Sequence, residues 1–161
     1  MINMTFTQKA LGFTGFYGLC AVTQLLGSYL TFQSVTTWYV TLNKPWFNPP
    51  GWTFGVVWTL LYILLALAAW QVWKKDGFAK AKVVLGLWGW QLVLNVGWSA
   101  LFFANRQVEA AFYLIAFTWL CQAPTLWLFY KHSKLAGVLL TPYFLWLSFA
   151  AVLNFSIWRL N

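Results

Sequence analysis

The sequence predicts an all-α, polytopic membrane protein: a bundle of five transmembrane helices with a long ordered loop between the first and second. Three observations predict it. Of 161 residues, 61% are hydrophobic and only 7% are charged, against about 25% in soluble domains, too few to cover a soluble surface. The apolar residues fall into five runs, at about 10–32, 52–73, 82–104, 108–130 and 135–158, each long enough to cross ~30 Å of hydrocarbon at ~1.5 Å per residue. Backbone groups in lipid have no water to bond, so each run closes its own hydrogen bonds as a helix. The alternating segments of about ten residues that build a membrane barrel are missing. The spans use nearly the whole chain, which leaves one transmembrane domain, 1–161.

The first run follows Lys9 and imitates a secretion signal. Its apolar stretch is longer than the usual ~7–15 residues and no A-x-A site follows, so it reads as a retained helix. The connection after it, about 33–51, is the long one, and long ordered loops are usually functional. It ends in "KPWFNPPGW" (44–52). Asn48 precedes Pro49, which pushes its backbone to the extended region where an N-cap sits. Pro49 and Pro50 suit the first helical turn. Trp46, Phe47, Pro49 and Pro50 therefore read as a pre-ordered lid, its rings lying over a cavity mouth or in the interface beside it. The later connections, "KKDGFAK", "NRQ" and "KHSKL", are short and force antiparallel neighbours.

Charge sets orientation. Lys9, Lys74, Lys75, Lys80, Lys82, Lys131 and Lys134 fall on one side of the alternating loops; Lys44, Arg106 and Arg159 fall on the other. The excess marks the first side as cytoplasmic in a bacterial cell membrane, with the N-terminus inside. The net charge of +8 is scattered singly between apolar runs and forms no basic face, which argues against a nucleic-acid partner. Cys20 and Cys121 form no metal or CxxC spacing and read as buried, inert thiols. His132 stands alone between lysines, an interfacial residue and not a ligand.

Stripes carry more information than composition. Gly55, Trp58, Tyr62 and Leu65 share one face of the second helix; Gln91, Asn95, Trp98 and Phe102 share one of the third; Tyr143, Trp146, Ala150 and Asn154 share one of the fifth. An amide facing lipid would lose its hydrogen bonds at a cost of several kcal/mol, so Gln91, Asn95 and Asn154 face the bundle interior. Each amide alone is equally well packing glue between helices. Three facing stripes of aromatic and amide residues favour an apolar, aromatic, sparsely polar pocket for a flat hydrophobic ligand. Of 13 tryptophans, Trp38, Trp70, Trp73 and Trp158 fit an interfacial belt, whereas Trp58, Trp98, Trp119, Trp127 and Trp146 lie deeper. Trp119 and Trp127 read as packing or lipid-facing residues.

Classical catalysis has no constellation here. Asp76 and Glu109 stand at span ends, and the sequence shows no Ser-His-Asp set, metal cluster or phosphate loop. That disfavours hydrolysis, a metal site and proton-coupled transport through an intramembrane carboxylate. What stays open is chemistry of the indole itself beside a light-absorbing or redox-active ligand.

The stretches "WYVTLNKPWFNPPGWTFGVVWTLLY" (38–62), "GLWGWQLVLNVGWSALFF" (86–103) and "TPYFLWLSFAAVLNFSIWRLN" (141–161) resemble the TspO/MBR family, which includes bacterial tryptophan-rich sensory proteins and the mitochondrial translocator protein, or peripheral benzodiazepine receptor. The resemblance implies a five-helix bundle, commonly a homodimer, that binds porphyrins, sterols and benzodiazepine-type ligands in a pocket closed by the first loop. It implies lining positions at Tyr39, Trp58, Asn95, Trp98, Trp146 and Ala150, with Gln91 and Asn154 also on matching positions. Tryptophan-dependent porphyrin degradation would fall to Trp58 and Trp146. No cofactor is implied; porphyrin is ligand or substrate. Small residues Gly86, Gly89, Gly97 and Ala100 would permit close approach of a second copy, and the glycines would equally serve packing inside one subunit. Two departures stand out. The family loop reads K-P-x-W-x-P-P, whereas here Phe47 holds the tryptophan position and Trp46 precedes it. The sterol-associated pattern near the C-terminus needs a tyrosine where "VLNFSIWR" has Phe155, and that pattern is weak even when complete. The expected function is a membrane receptor or sensor that binds, or binds and delivers, porphyrins; a light- and oxygen-driven porphyrin-degrading enzyme and a tetrapyrrole or sterol transporter are the alternatives.

Overall fold

The computed structural model describes residues 4–161. Helix α1 spans Phe6–Val35. It starts earlier than the apolar run because "TFTQ" makes a capping box: the Gln8 amide donates to Thr5 Oγ1 at 3.2 Å, and the Thr5 amide donates to Gln8 Oε1 at 2.9 Å. A 3-10 turn, Tyr39–Thr41, begins the long loop.

Helix α2 spans Gly51–Ser99 in one run. The expected second and third helices are therefore not separated by a loop, and the structure shows four long helical runs where five helices were expected. Only Gly77 in α2 leaves helical geometry, at φ 67° and ψ 177°. The Trp88 indole N–H donates to the Leu65 carbonyl at 3.0 Å across 23 residues, which in a straight helix would be ~35 Å apart. The run thus folds back at Gly77, and "KKDGFAK" turns on a single residue. Ala66, Ala68, Ala69 and Ala81 are fully buried beside the turn, so the two limbs, 51–76 and 78–99, approach closely.

The limb continues as a π-helical segment, Ala100–Ala104. Helices α3, Val108–His132, and α4, Lys134–Leu160, follow, joined by Ser133 alone, whose Oγ accepts from the Ala136 amide. All four runs are long and apolar enough to cross a membrane. Helix α1 packs chiefly on α2, and α3 on α4.

Other expectations change at the ends. His132 is not alone: its Nδ1 lies 2.6 Å from Asp76, and Lys75 Nζ donates to its carbonyl. The Gly77 turn is thereby pinned to the α3–α4 junction. Asn48 does not cap α2. Pro50 takes the N-cap position without a side-chain bond, and Asn48 accepts instead from the Tyr39 hydroxyl at 2.8 Å. Pro49 and Pro50 thus precede the helix. Cys20 is fully buried and Cys121 half-buried, both free. Gly97 serves packing within the chain, against Leu114, whereas an added Cβ at Gly86 or Gly89 would meet open space.

The conformation at Gly77 is essentially glycine-only. Gly77→Ala is expected to cost about 1–3 kcal/mol, read as a lower midpoint in thermal unfolding of the purified protein. A midpoint unchanged from the parent would show that the turn is not held in this geometry.

Candidate ligand cavity

A cavity of about 350 Å³ lies inside the bundle. Its wall on α2 runs from Gly51 to Tyr62 on the first limb and begins again at Asn95 on the second; on α4 it runs from Trp146 to Ile157. It therefore occupies the half of the bundle next to the long loop.

The stripes converge on it. Trp58 packs on Tyr62 at 5.4 Å between ring centroids and meets the Tyr143 edge at 6.3 Å. Trp98 stacks on Phe102 at 5.0 Å. Its indole N–H donates to Asn154 Oδ1 at 2.8 Å, and Asn154 Nδ2 donates to the Val108 carbonyl at 3.0 Å. Asn154 is thus buried and bonded on both sides, joining α2, α3 and α4. Trp146 sits between Phe54 and Phe149, at 5.9 Å and 5.2 Å. Trp58, Tyr62, Asn95, Trp98, Trp146, Ala150 and Asn154 line the cavity, as does Tyr39 from the 3-10 turn.

Gln91 and Tyr143 do not line it. Each lies about one turn further from the loop than the lining residues of its own helix, below the cavity floor. Tyr143 is fully buried and donates to Asn95 Oδ1 at 2.9 Å, so it fixes the Asn95 amide. Gln91 is buried with both amide atoms unpartnered. Asn95 Nδ2 and the Trp146 indole N–H are also buried without a partner. Both belong to residues of the cavity wall.

The loop differs from the expected lid. None of Trp46, Phe47, Pro49 and Pro50 lines the cavity. Trp46 is 95% exposed, while Phe47 takes the inward position, packing on Phe149 at 6.3 Å. With phenylalanine inward, the neighbouring indole is left outward. Tyr39 and Gly51 are what reach the cavity from this end. The Tyr39 ring lies between Phe103, at 5.7 Å, and Lys44 Nζ, at 4.8 Å. Burial pushes its phenol above the usual range, with the Asn48 hydrogen bond opposing. The loop itself is clamped to the end of α4: the Asn43 amide donates to Asn161 Oδ1 at 2.9 Å, and Asn161 Nδ2 donates back to the Asn43 carbonyl at 3.0 Å.

Sequence reasoning missed the α1 wall: Gln24, Gly27, Ser28 and Thr31 line the cavity. Their spacing of three, one and three puts them on one helix face, a polar stripe in an otherwise apolar run. Gln24 Nε2 donates to Thr59 Oγ1 at 2.7 Å. On α3, Ile115 and Thr118 line the cavity, and Gln122, 1% exposed with Nε2 unpartnered, lies deeper. Trp119 and Trp127 stay outside: Trp119 donates to Ser148 Oγ at 2.8 Å, and Trp127 lies 57% exposed under Lys131. Among the described residues, no group of His, Cys, Asp and Glu could hold a metal ion.

Comparison with known proteins follows the same residues. The sequence model of the TspO/MBR family matches residues 16–159. A tryptophan-rich sensory protein of Cereibacter sphaeroides is 38% identical over 149 residues, 92% of this chain and 90% of the other. Tryptophan-rich protein TspO of Archaeoglobus fulgidus is 42% identical over 135 residues, 84% of this chain and 87% of its own. The translocator protein of Homo sapiens is 39% identical over 138 residues, 84% and 82% of the two chains.

Removal of Asn154 should leave the Trp98 indole N–H without its acceptor and cut the tie to the Val108 carbonyl. At about 1–3 kcal/mol for a buried group left unsatisfied, Asn154→Ala is expected to lose about 1–3 kcal/mol in denaturant unfolding. A loss under about 0.5 kcal/mol would mean that these bonds do not hold the wall.

Proposed function

The chain belongs to the TspO/MBR family, an integral membrane protein whose relatives carry sensory and translocator names, and from that premise we propose that it is a receptor for porphyrins and related flat hydrophobic ligands. One observation carries the reading: a single intramembrane cavity gathers Trp58, Trp98 and Trp146 with buried indole and amide N–H groups that have no partner in the protein. Aromatic faces supply contact area for a macrocycle. Trp146 Nε1 and Asn95 Nδ2 supply donors for its polar edge, and binding would satisfy them. The chain crosses the membrane five times in this proposal, the two limbs of α2 counting as separate crossings.

A second reading is favoured by the same indoles. Trp58 and Trp146 stand in the wall where a bound porphyrin would lie, so light- and oxygen-driven degradation would use an oxidisable ring in contact with its substrate. The phenyl ring keeps much of the area and shape of the indole, so Trp58→Phe with Trp146→Phe is expected to leave saturable quenching of intrinsic fluorescence by protoporphyrin IX within about threefold of the parent. The loss of porphyrin absorbance in light should stop in the same variant if the indoles react. Non-saturable quenching in the parent would remove the receptor reading. Undiminished bleaching in the variant would remove the enzymatic one.

The lysine excess at the Gly77 end supports a cytoplasmic position for that end and for the N-terminus in this proposal. A reporter enzyme fused at each terminus is expected to be active inside at the N-terminus and outside at the C-terminus; the reverse pattern would overturn the orientation.

A further inference from the structure

The lysine-rich end holds seven lysines against Asp76, six net positive charges, and Asp76 is already engaged by His132. Two of the lysines flank one indole. The Trp70 N–H donates to the Lys9 carbonyl at 2.8 Å, and Lys74 Nζ lies 3.4 Å over the centroid of the same ring. Residues 9 and 74 thus meet on one indole, Lys9 through its backbone carbonyl and Lys74 through its ammonium, at an end of the bundle where an anion would offset the lysine charge.

Below the lysines, an aromatic strip descends the α1–α2 seam. Phe13 meets the Trp70 edge at 5.7 Å and stacks on Tyr17 at 6.0 Å. Tyr17 is 41% exposed. Trp73 lies flat on α1 because position 12 is glycine: a Cβ there would sit 2.2 Å from its ring.

We propose that Lys9 and Lys74, set above the Phe13–Tyr17–Trp70 strip, form a site for one anionic phospholipid, its phosphate between the ammonium groups and an acyl chain along the rings. Charge complementarity selects the headgroup, and the position at a span end selects a lipid over a soluble anion. The site lies at the opposite end of the bundle from the cavity and is independent of what the cavity binds.

Native mass spectrometry of the full chain, after exchange from mixed phosphatidylglycerol and phosphatidylcholine bilayers, tests it. The parent is expected to retain one phosphatidylglycerol in preference to phosphatidylcholine. At about fivefold per lysine near an anionic headgroup, Lys9→Gln with Lys74→Gln should weaken that retention about 25-fold, and Lys9→Arg with Lys74→Arg should restore it. Lys80→Gln with Lys134→Gln, a control for diffuse charge, should change it by less than about threefold. Equal losses in the two glutamine pairs, or no preference in the parent, would overturn the site. Displacement of the lipid by an equal concentration of inorganic phosphate would overturn the lipid reading in favour of a simple anion site.

Discussion

A polar group in hydrocarbon has no water to turn to, and the structure is organised by how this chain meets that constraint. Asn154 meets it fully. Its carbonyl accepts from Trp98 on α2 and its amide donates to Val108 at the start of α3. One side chain therefore ties three helical runs at a single depth. Tyr143 and Asn95 make a second tie, between α4 and α2, and Trp88 and Leu65 close the two limbs of α2 on each other. The helices are otherwise apolar surfaces in an apolar solvent, where burial gives little preference for one neighbour over another. These few bonds are what select the arrangement, and two of the three stand at the edge of the cavity they help to shape.

The same constraint explains the turn at Gly77. A run from Gly51 to Ser99 would be ~73 Å long if straight, far more than a bilayer accepts. A conventional loop would leave several backbone groups to be satisfied at the interface. A single residue at positive φ reverses the chain while the helix on each side keeps its own bonds. The reversal brings Leu65 beside Trp88. It also sets Trp58 and Tyr62 on one limb across from Asn95 and Trp98 on the other, which is how two stripes far apart in sequence come to line one cavity.

Legibility from sequence follows from this. Stripes of Trp, Tyr and Asn at helical spacing were readable because large rings and amides are rare and costly in lipid, so their alignment carries information. Depth was not readable. Gln91 shares a face with Asn95, and Tyr143 with Trp146, yet the cavity ends one turn above them, and nothing in periodicity says where a void stops. The α1 wall was hidden for the opposite reason: Gly27, Ser28 and Thr31 are small, and small polar residues in a long apolar run look like ordinary packing. The count of five helices failed at Gly77 because "KKDGFAK", with four charged residues and a glycine among seven, read as a loop, whereas lysine and alanine propagate a helix readily and only glycine interrupts it.

What distinguishes a binding site from a packed core here is which donors are left over. Asn154 has spent both of its groups on the protein and can offer a ligand little. Asn95 has spent only its carbonyl, on Tyr143, and Trp146 has spent nothing. Both leftovers are N–H groups, and both belong to residues of the cavity wall. Phe47 packing inward on Phe149 adds area at the loop end but no donor, where an indole would have added one. The unspent donors among the aromatic wall residues are therefore those of Asn95 and Trp146, while Gln24, Ser28 and Thr31 on α1 and Thr118 on α3 supply further polar lining.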